Sequence, residues 1–387
     1  MERADLIAIL RQTGCAEEHG GQWFLIDPQW SAAERTRIEG LLAGADSIQP
    51  NARSPRGWLG IATGGTSGGV RFARHDEISL SAAVADFCRF FSLDRVNAVD
   101  VLPPFHVSGL MSRVRCIATG GRHLACDWRM VEAGERPKLG TVGGAWVISL
   151  VPTQLQRLLA APGGIDWLRG FHSIFVGGGP AWPELTEAAA AARLPLALTY
   201  GMTETAAMVA AIKPAVFLAG ERIWAEPFPQ TRITLTAEDV INIEGPSVFC
   251  GYWPDLRLER TFETADLGRL DGRGRLQVLG RRDAIIITGG KKVQPAEVEA
   301  ALRATGRFAD VAVIGMPDPQ WGQAVVACHP NMGPGEPDLS AVQRQIEPLL
   351  APYKRPKRYF AVNNWPRTEQ GKLNRAELAR RVEHESR

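Results

Sequence analysis

The sequence is poor in net charge, in cysteine and in long apolar runs. Its 44 lysines and arginines nearly cancel 42 aspartates and glutamates, leaving +2 over 387 residues. The electrostatic footprint of a dedicated nucleic-acid binder is therefore missing, and no polyanionic partner is implied. No window approaches the ~20 apolar residues of a spanning helix, and the opening Met1-Glu2-Arg3-Ala4-Asp5 continues amphipathically without an apolar signal core. The six cysteines (Cys15, Cys88, Cys116, Cys126, Cys250, Cys328) form no CxxC pair and no cluster with histidine. That argues against a zinc site or a disulfide framework. No internal repeat or low-complexity tract stands out. These absences imply a cytoplasmic protein with reduced, mostly buried thiols and no membrane span.

What is present is apolar material: 45% of residues are hydrophobic, enough for a large core and more than one domain. Residues 5–15 and 31–43 carry apolar positions at helical spacing, and a Gly, Pro and Asn-rich stretch ending near Arg56 reads as a connecting loop. From Trp58 onward short apolar runs (58–63, 97–102, 145–150, 173–176, 194–199) alternate with helical patterns (79–92, 107–118, 153–160). This is the rhythm of α/β architecture, in which ligand sites form at strand C-terminal ends. Residues 231–280 change to short alternating segments with turns, a β-rich module. After Asp283 comes a compact pattern of helix 295–304, strands 310–315 and 323–328, and helix 340–350. The expectation is a large N-terminal α/β domain with a β-rich module over residues 1–282, and a small α+β C-terminal domain over 283–387, joined by a hinge.

Four segments carry candidate chemistry. Thr63-Gly64-Gly65-Thr66-Ser67-Gly68-Gly69 follows a strand; its glycines and hydroxyls suit a triphosphate. It does not match the Walker pattern, and taken alone such a run is more often a flexible loop. Tyr200-Gly201-Met202-Thr203-Glu204-Thr205 places a carboxylate beside hydroxyls at a strand end, suited to magnesium bridging phosphates, with Tyr200 as a flat face for a base. The plainer reading is a helix N-terminus with Thr203 as its cap. Thr264-Ala265-Asp266-Leu267-Gly268 leads toward Gly280-Arg281-Arg282-Asp283, so an acid able to chelate ribose hydroxyls precedes an arginine able to meet ribose or phosphate. Pro366-Arg367-Thr368-Glu369-Gln370-Gly371-Lys372 puts a lysine in a glycine turn, where most lysines are merely solvated.

Together, in this order and spacing, the four segments resemble the adenylate-forming superfamily of acyl-CoA synthetases, nonribosomal adenylation domains and luciferases, over roughly residues 58–375. Within it, the GGTSGGVRFARH loop and the Leu102–Leu110 segment look like the short 2-succinylbenzoate-CoA ligases of menaquinone and phylloquinone synthesis. The resemblance implies an AMP-forming ligase that uses ATP, Mg2+ and coenzyme A on a small-molecule carboxylic acid. It implies that Thr63, Gly64, Gly65, Thr66, Ser67 and Gly68 cradle phosphates and that Gly178, Gly179, Pro180, Thr199, Tyr200, Gly201 and Met202 frame adenine. Glu204, beside Thr203, would hold magnesium, Asp266 and Arg281 would bind ribose, and Lys372 would stabilise charge in acyl-AMP formation. Asp283 resembles the family's hinge, about which the small domain turns between half-reactions. Gly289, Gly290, Trp321, Arg355 and Lys357 would face CoA. The phosphate loop departs from the family pattern: Gly64 takes a hydroxyl position, and Arg71 stands where a lysine is usual. The N-terminal part is also shorter than in typical members.

For the acid, His106, Ser108 and Gly109 open a probable helix, and positions 106, 109, 110 and 113 share a face. Arg113 is thereby a candidate anchor for a second carboxylate, with Arg115 competing. Two alternatives stay open: a CoA ligase or carrier-loading adenylation enzyme for another aryl or acyl acid, and a degenerate nucleotide-binding regulator. Oligomeric state, including a homo-oligomer, is left open.

Overall fold

Val96–Asp100 and Ser173–Val176 are buried along their whole length, the pattern of strands covered on both faces. They lie inside a seven-stranded sheet ordered Glu226–Pro227, Ala207–Ile212, Leu196–Met202, Ser173–Val176, Ala145–Leu150, Val96–Asp100, His123–Ala125. The last five strands are parallel, and Ala207–Ile212 returns antiparallel to Leu196–Met202. The computed structural model describes residues 1–47, 56–64, 70–140, 143–308, 310–331, 333–367 and 373–385.

The helix Glu77–Phe91 shows how sequence sets one of the covering layers. Asp76 caps it by accepting from the Ser79 N–H at 2.9 Å, and it ends at Ser92 in the left-handed region, φ 55°. Leu80, Ala83, Val84, Phe87 and Phe91, at helical spacing, are buried. Phe87 and Phe91 meet Phe175 edge-on at 5.1 and 4.8 Å, and Phe90 stacks on Phe228 at 4.5 Å. Each fully buried phenylalanine contributes about 1.5–3 kcal/mol.

A second sheet joins Ala16–His19, Gln22–Leu25, Leu59–Gly64 and Val70–His75 in that order. Its first hairpin is absent from the sequence reading because Ala16–His19 carries two exposed glutamates and no apolar alternation, whereas all of Gln22–Leu25 is buried. The β-rich module is a four-stranded antiparallel meander, Arg232–Leu235, Val240–Glu244, Thr261–Leu270 and Leu276–Arg281.

Beyond a short 3-10 turn, Arg282–Ala284, the remaining strands form a separate sheet: Lys291–Val293, Ile286–Thr288, Gly322–Pro330 and Ala312–Asp318, with Arg358–Val362 parallel to Gly322–Pro330. Strand alternation splits its apolar residues between two layers. Val313, Val325 and Ala327 pack with the helices Pro295–Ala304 and Leu339–Ile346, while Ile314, Met316, Val326 and Cys328 pack with Arg375–Glu385. The hydrophobic clusters divide in the same place: those of the first part reach Leu276, and those of the second begin at Ile286. The chain thus has the large α/β part with a β-rich module and the small α+β C-terminal part expected of it. Among the described residues no helix is long and apolar enough to cross a membrane.

Candidate active site

Strands Leu196–Met202 and Ala207–Ile212 are joined by the 3-10 turn Thr203–Thr205 at the C-terminal edge of the parallel strands. A β-carbon on Gly201 would lie 1.8 Å from the Ala207 carbonyl oxygen, so only glycine fits there. The chain leaves the turn through two consecutive non-glycine residues at positive φ, Ala206 at 51° and Ala207 at 85°. Such conformations cost about 1–3 kcal/mol each and persist only where the surroundings fix them. Thr205 Oγ accepts from the Met202 N–H at 3.0 Å and donates to the Ala207 carbonyl at 2.7 Å. The sequence reading gave the capping hydroxyl to Thr203; the structure gives it to Thr205, because the turn's N-cap position falls on Met202 and Thr205 is the residue that reaches back to its N–H. From outside, the Phe249 N–H donates to the Glu204 carbonyl at 2.8 Å, and His75 Nε2 lies 2.7 Å from the Thr203 carbonyl.

This turn presents Glu204, whose residue is only 7% exposed. Tyr252 donates its hydroxyl to Glu204 Oε1 at 2.7 Å. Burial, then the Glu204 charge, raises the Tyr252 phenol, so it remains a donor. The Arg71 guanidinium lies 4.0 Å over the Tyr252 ring. Arg71 stands in register with Thr63 across the hairpin, placing a cation at the base of the Gly-rich connection. Tyr252 is a site residue that the sequence reading missed. The available signal was rarity: the chain has four tyrosines, and two of them, Tyr200 and Tyr252, donate to candidate site carboxylates.

The second half of the site is held by the meander. Asp266 pairs in register with Arg281, and Tyr200 donates to Asp266 Oδ2 at 2.9 Å. Arg281 forks onto Asp283 at 2.8 and 2.7 Å and lies 3.7 Å from Asp266 Oδ1. Burial raises the Asp266 carboxyl pKa, against the lowering from Tyr200 and Arg281. Gly178, with φ 74°, Gly179 and Pro180 follow Ser173–Val176, the parallel neighbour of the strand carrying Thr199, Tyr200, Gly201 and Met202. Thr199 Oγ donates to the Val176 carbonyl at 3.1 Å, tying the two strand ends. The residues read as adenine and metal contacts therefore lie at one sheet edge, and the Tyr200 hydroxyl ties Asp266 of the meander to it.

The candidates for the acid converge less. His106 is the N-cap of Val107–Ala118, without a side-chain cap bond, and its ring lies 4.6 Å from Phe105. Ser108 follows in the first turn. Gly109 is buried, and a β-carbon there would come within 2.3 Å of the Pro103 carbonyl oxygen, so its absent side chain serves helix packing. Arg113, on the same helix, donates its Nη1 to the Gln12 carbonyl of the first helix at 3.3 Å. Helical projection gives the azimuth of a residue, not which helix packs against it. The competitor Arg115 is 3% exposed, lies 4.1 Å over Phe87, and is pushed by burial down to about 10.

In the small C-terminal part, Gly289 donates its N–H to the Trp321 carbonyl at 2.9 Å and lies directly under the indole, with Lys357 5.6 Å over the ring. Gly290 follows at φ 74°. Arg355 donates to the Leu350 carbonyl at 2.9 Å, Glu347 Oε1 at 3.0 Å and the Glu347 carbonyl at 2.9 Å. It fastens the turn after Leu339–Ile346, and with Lys357 and Arg344 it lines a cavity of about 630 Å³. Gly65, Thr66, Ser67, Gly68 and Lys372 lie outside the described residues.

Comparison with known proteins supplies the family. The family model described as AMP-binding enzyme matches residues 61–253, and that of the AMP-binding enzyme C-terminal domain matches residues 297–372. A 2-succinylbenzoate–CoA ligase of Geobacillus kaustophilus is 34% identical over 297 residues, covering 73% of this chain and 60% of the relative. One of Enterococcus faecalis is 32% identical over 292 residues, covering 70% and 58%. The chain thus spans about three fifths of the length of these relatives. Among solved structures, o-succinylbenzoate CoA synthetase from Bacillus subtilis in complex with the acyl-adenylate intermediate OSB-AMP superposes with TM-score 0.72 at 23% identity, over 92% of this chain and 78% of that one. ATP-bound MatB from Rhodopseudomonas palustris gives 0.71 at 22%, over 90% and 78%; both likenesses concern the fold. With two family models together covering more than two thirds of its length, the chain belongs to the AMP-binding enzyme family.

Proposed function

We propose that this chain is an AMP-forming acid–CoA ligase that adenylates a carboxylic acid and passes the acyl group to coenzyme A, and that the acid is 2-succinylbenzoate. The observation that carries the reading is the Glu204–Tyr252–Arg71 cluster, a carboxylate and a cation set beside the hairpin connection read as the phosphate loop. The curated relatives named above supply the acid. In the first half-reaction a carboxylate oxygen attacks the α-phosphorus of ATP, the bond to pyrophosphate breaks, and acyl-AMP forms. In the second, the CoA sulfur attacks the acyl carbon and AMP leaves.

One carboxylate, with an oxygen already fixed by Tyr252, fits magnesium, which takes one or two carboxylates and fills its remaining positions with phosphate oxygens and water. When bound, magnesium would neutralise phosphate charge. Glu204 would orient that charge, Arg71 would meet the phosphates, and Asp266 with Arg281 would hold the ribose. Lys372 would stabilise the charge developing at the α-phosphate. The division into residues 1–282 and 283–387 is part of the proposal, supported by the break between hydrophobic clusters at 276–286. Asp283 would be the hinge, and Gly289, Gly290, Trp321, Arg355 and Lys357 the surface offered to CoA. Action in the cytoplasm belongs to the same reading.

The test is acid-dependent ATP–pyrophosphate exchange across a panel of aryl and acyl acids. Exchange strongest with 2-succinylbenzoate is expected. Exchange with a different acid would replace the substrate and keep the reaction; none with any acid would remove both.

A further inference from the structure

We propose that His75 is a positioning residue, whose Nε2–H group holds the Thr203 carbonyl and thereby fixes the direction in which Glu204 points. The inference rests on the reading of Glu204 as the carboxylate that meets the metal-bound nucleotide.

His75 is the last residue of Val70–His75, where strand alternation puts Arg71, Ala73 and His75 on one face. One strand face therefore bears the cation beside Tyr252 at one end and the imidazole under the Glu204 turn at the other. The His75 residue is wholly buried, 0% exposed, so it touches no substrate. A carbonyl oxygen can only accept, so the 2.7 Å contact to Thr203 requires the hydrogen on Nε2. Nδ1 lies 3.1 Å from the Ser79 hydroxyl. The groups facing the ring include Asp76 and Arg260, whose charges oppose each other on it.

Glu204 sits between two peptide planes, Thr203–Glu204 and Glu204–Thr205. Each plane is rigid, so fixing both fixes the Cα–Cβ direction between them. The carbonyl of the second accepts from the Phe249 N–H, and that of the first accepts from His75 and, at 3.2 Å, from the Ala206 N–H inside the turn. His75 is thus the side chain that anchors the first plane from outside. The positive-φ pair that follows, Ala206 and Ala207, makes such an anchor necessary, because strained backbone relaxes when its restraints are removed.

The experiment compares two amides at this position. In H75Q the amide nitrogen reaches the place of Nε2 and keeps the donor to Thr203; in H75N it reaches only the place of Nδ1. Both bury an amide, so they carry a similar cost in folding. The magnesium concentration for half-maximal ATP–pyrophosphate exchange, and kcat, are measured with melting temperatures. The inference expects H75N to need roughly tenfold more magnesium, the scale of one lost hydrogen bond, with H75Q close to wild type and the two melting alike. Equal magnesium requirements in the two variants, or losses that merely follow melting temperature, would overturn it. E204Q is measured in parallel. A shifted magnesium requirement in E204Q but not in H75N rejects the role of His75 alone; no shift in E204Q rejects the reading of Glu204, and the inference with it.

Discussion

The Glu204 turn and the Trp321 surface lie on either side of the Arg281–Asp283 link and are built in opposite ways. Glu204 is nearly buried and is bound through its carboxylate, its carbonyl and the preceding carbonyl. Trp321 is 40% exposed, and its carbonyl meets Gly289 in a left-handed turn. The first arrangement is preorganised, as expected of groups that must meet developing charge without rearranging. The second leaves an aromatic face and a cation exposed, as the proposed domain movement would require. On the proposed reading, one molecule would keep its nucleotide groups fixed and move its thiol-facing groups.

The contrast breaks most sharply at Lys372. Lys372→Ala should lower acyl-AMP formation by about 10²–10³-fold, the scale of losing one charge-stabilising group, while thioester formation from supplied acyl-AMP survives. Equal loss in both half-reactions would place the lysine in neither role. Asp283→Pro acts on the link itself, fixing φ near −65° and removing the carboxylate that Arg281 grips. Thioester yield should fall roughly tenfold more than pyrophosphate exchange, a difference of about 1.4 kcal/mol; proportional loss in a well-folded variant would make Asp283 an ordinary turn residue. Trp321→Ala removes the open aromatic face. It should raise the CoA concentration for half-saturation by roughly three- to tenfold, the range of a stacking contact, without changing exchange; a change in exchange instead would move Trp321 to the nucleotide side.

A separate effect, on stability rather than on activity, sharpens the description of the buried side. Burial lowers the His75 imidazole from 6.5 to about 4. Between these values the unfolded chain binds the proton and the folded chain does not, so stability is full above pH 6.5 and is lost as pH falls toward 4, by roughly 3 kcal/mol. Asp76 stays ionised through this window: burial alone would raise it, but Arg56, the Ser79 N–H and Arg260 hold it well below the usual carboxylate range. The melting temperature of H75Q should therefore depend less on pH than that of the wild type between about pH 6.5 and 4. Parallel curves would mean that the imidazole is not kept neutral.

Elements with strong periodicity or flanking glycines were legible in the sequence. The runs read as 145–150, 173–176, 107–118 and 295–304 are the observed strands and helices. The polar Ala16–His19 strand was not, since its pairing partner supplies what its own pattern lacks. In the site, contiguous motifs were legible because neighbours in sequence share a strand end, as in Thr199–Glu204. Contacts that join distant segments were not: Tyr252 meets Glu204 from 48 residues away, and His75 meets Thr203 from 128. The Arg113 bond to the Gln12 carbonyl, 101 residues distant, is of the same kind.

The central claim, one chain performing adenylation and then thiol transfer, is tested most directly by product balance in a single reaction containing 2-succinylbenzoate, ATP, magnesium and CoA. The account predicts AMP, pyrophosphate and the CoA thioester in equal amounts, with pyrophosphate but no thioester when CoA is left out of a single-turnover reaction. Release of ADP and phosphate, or pyrophosphate formation that starts only when CoA is added, would contradict it.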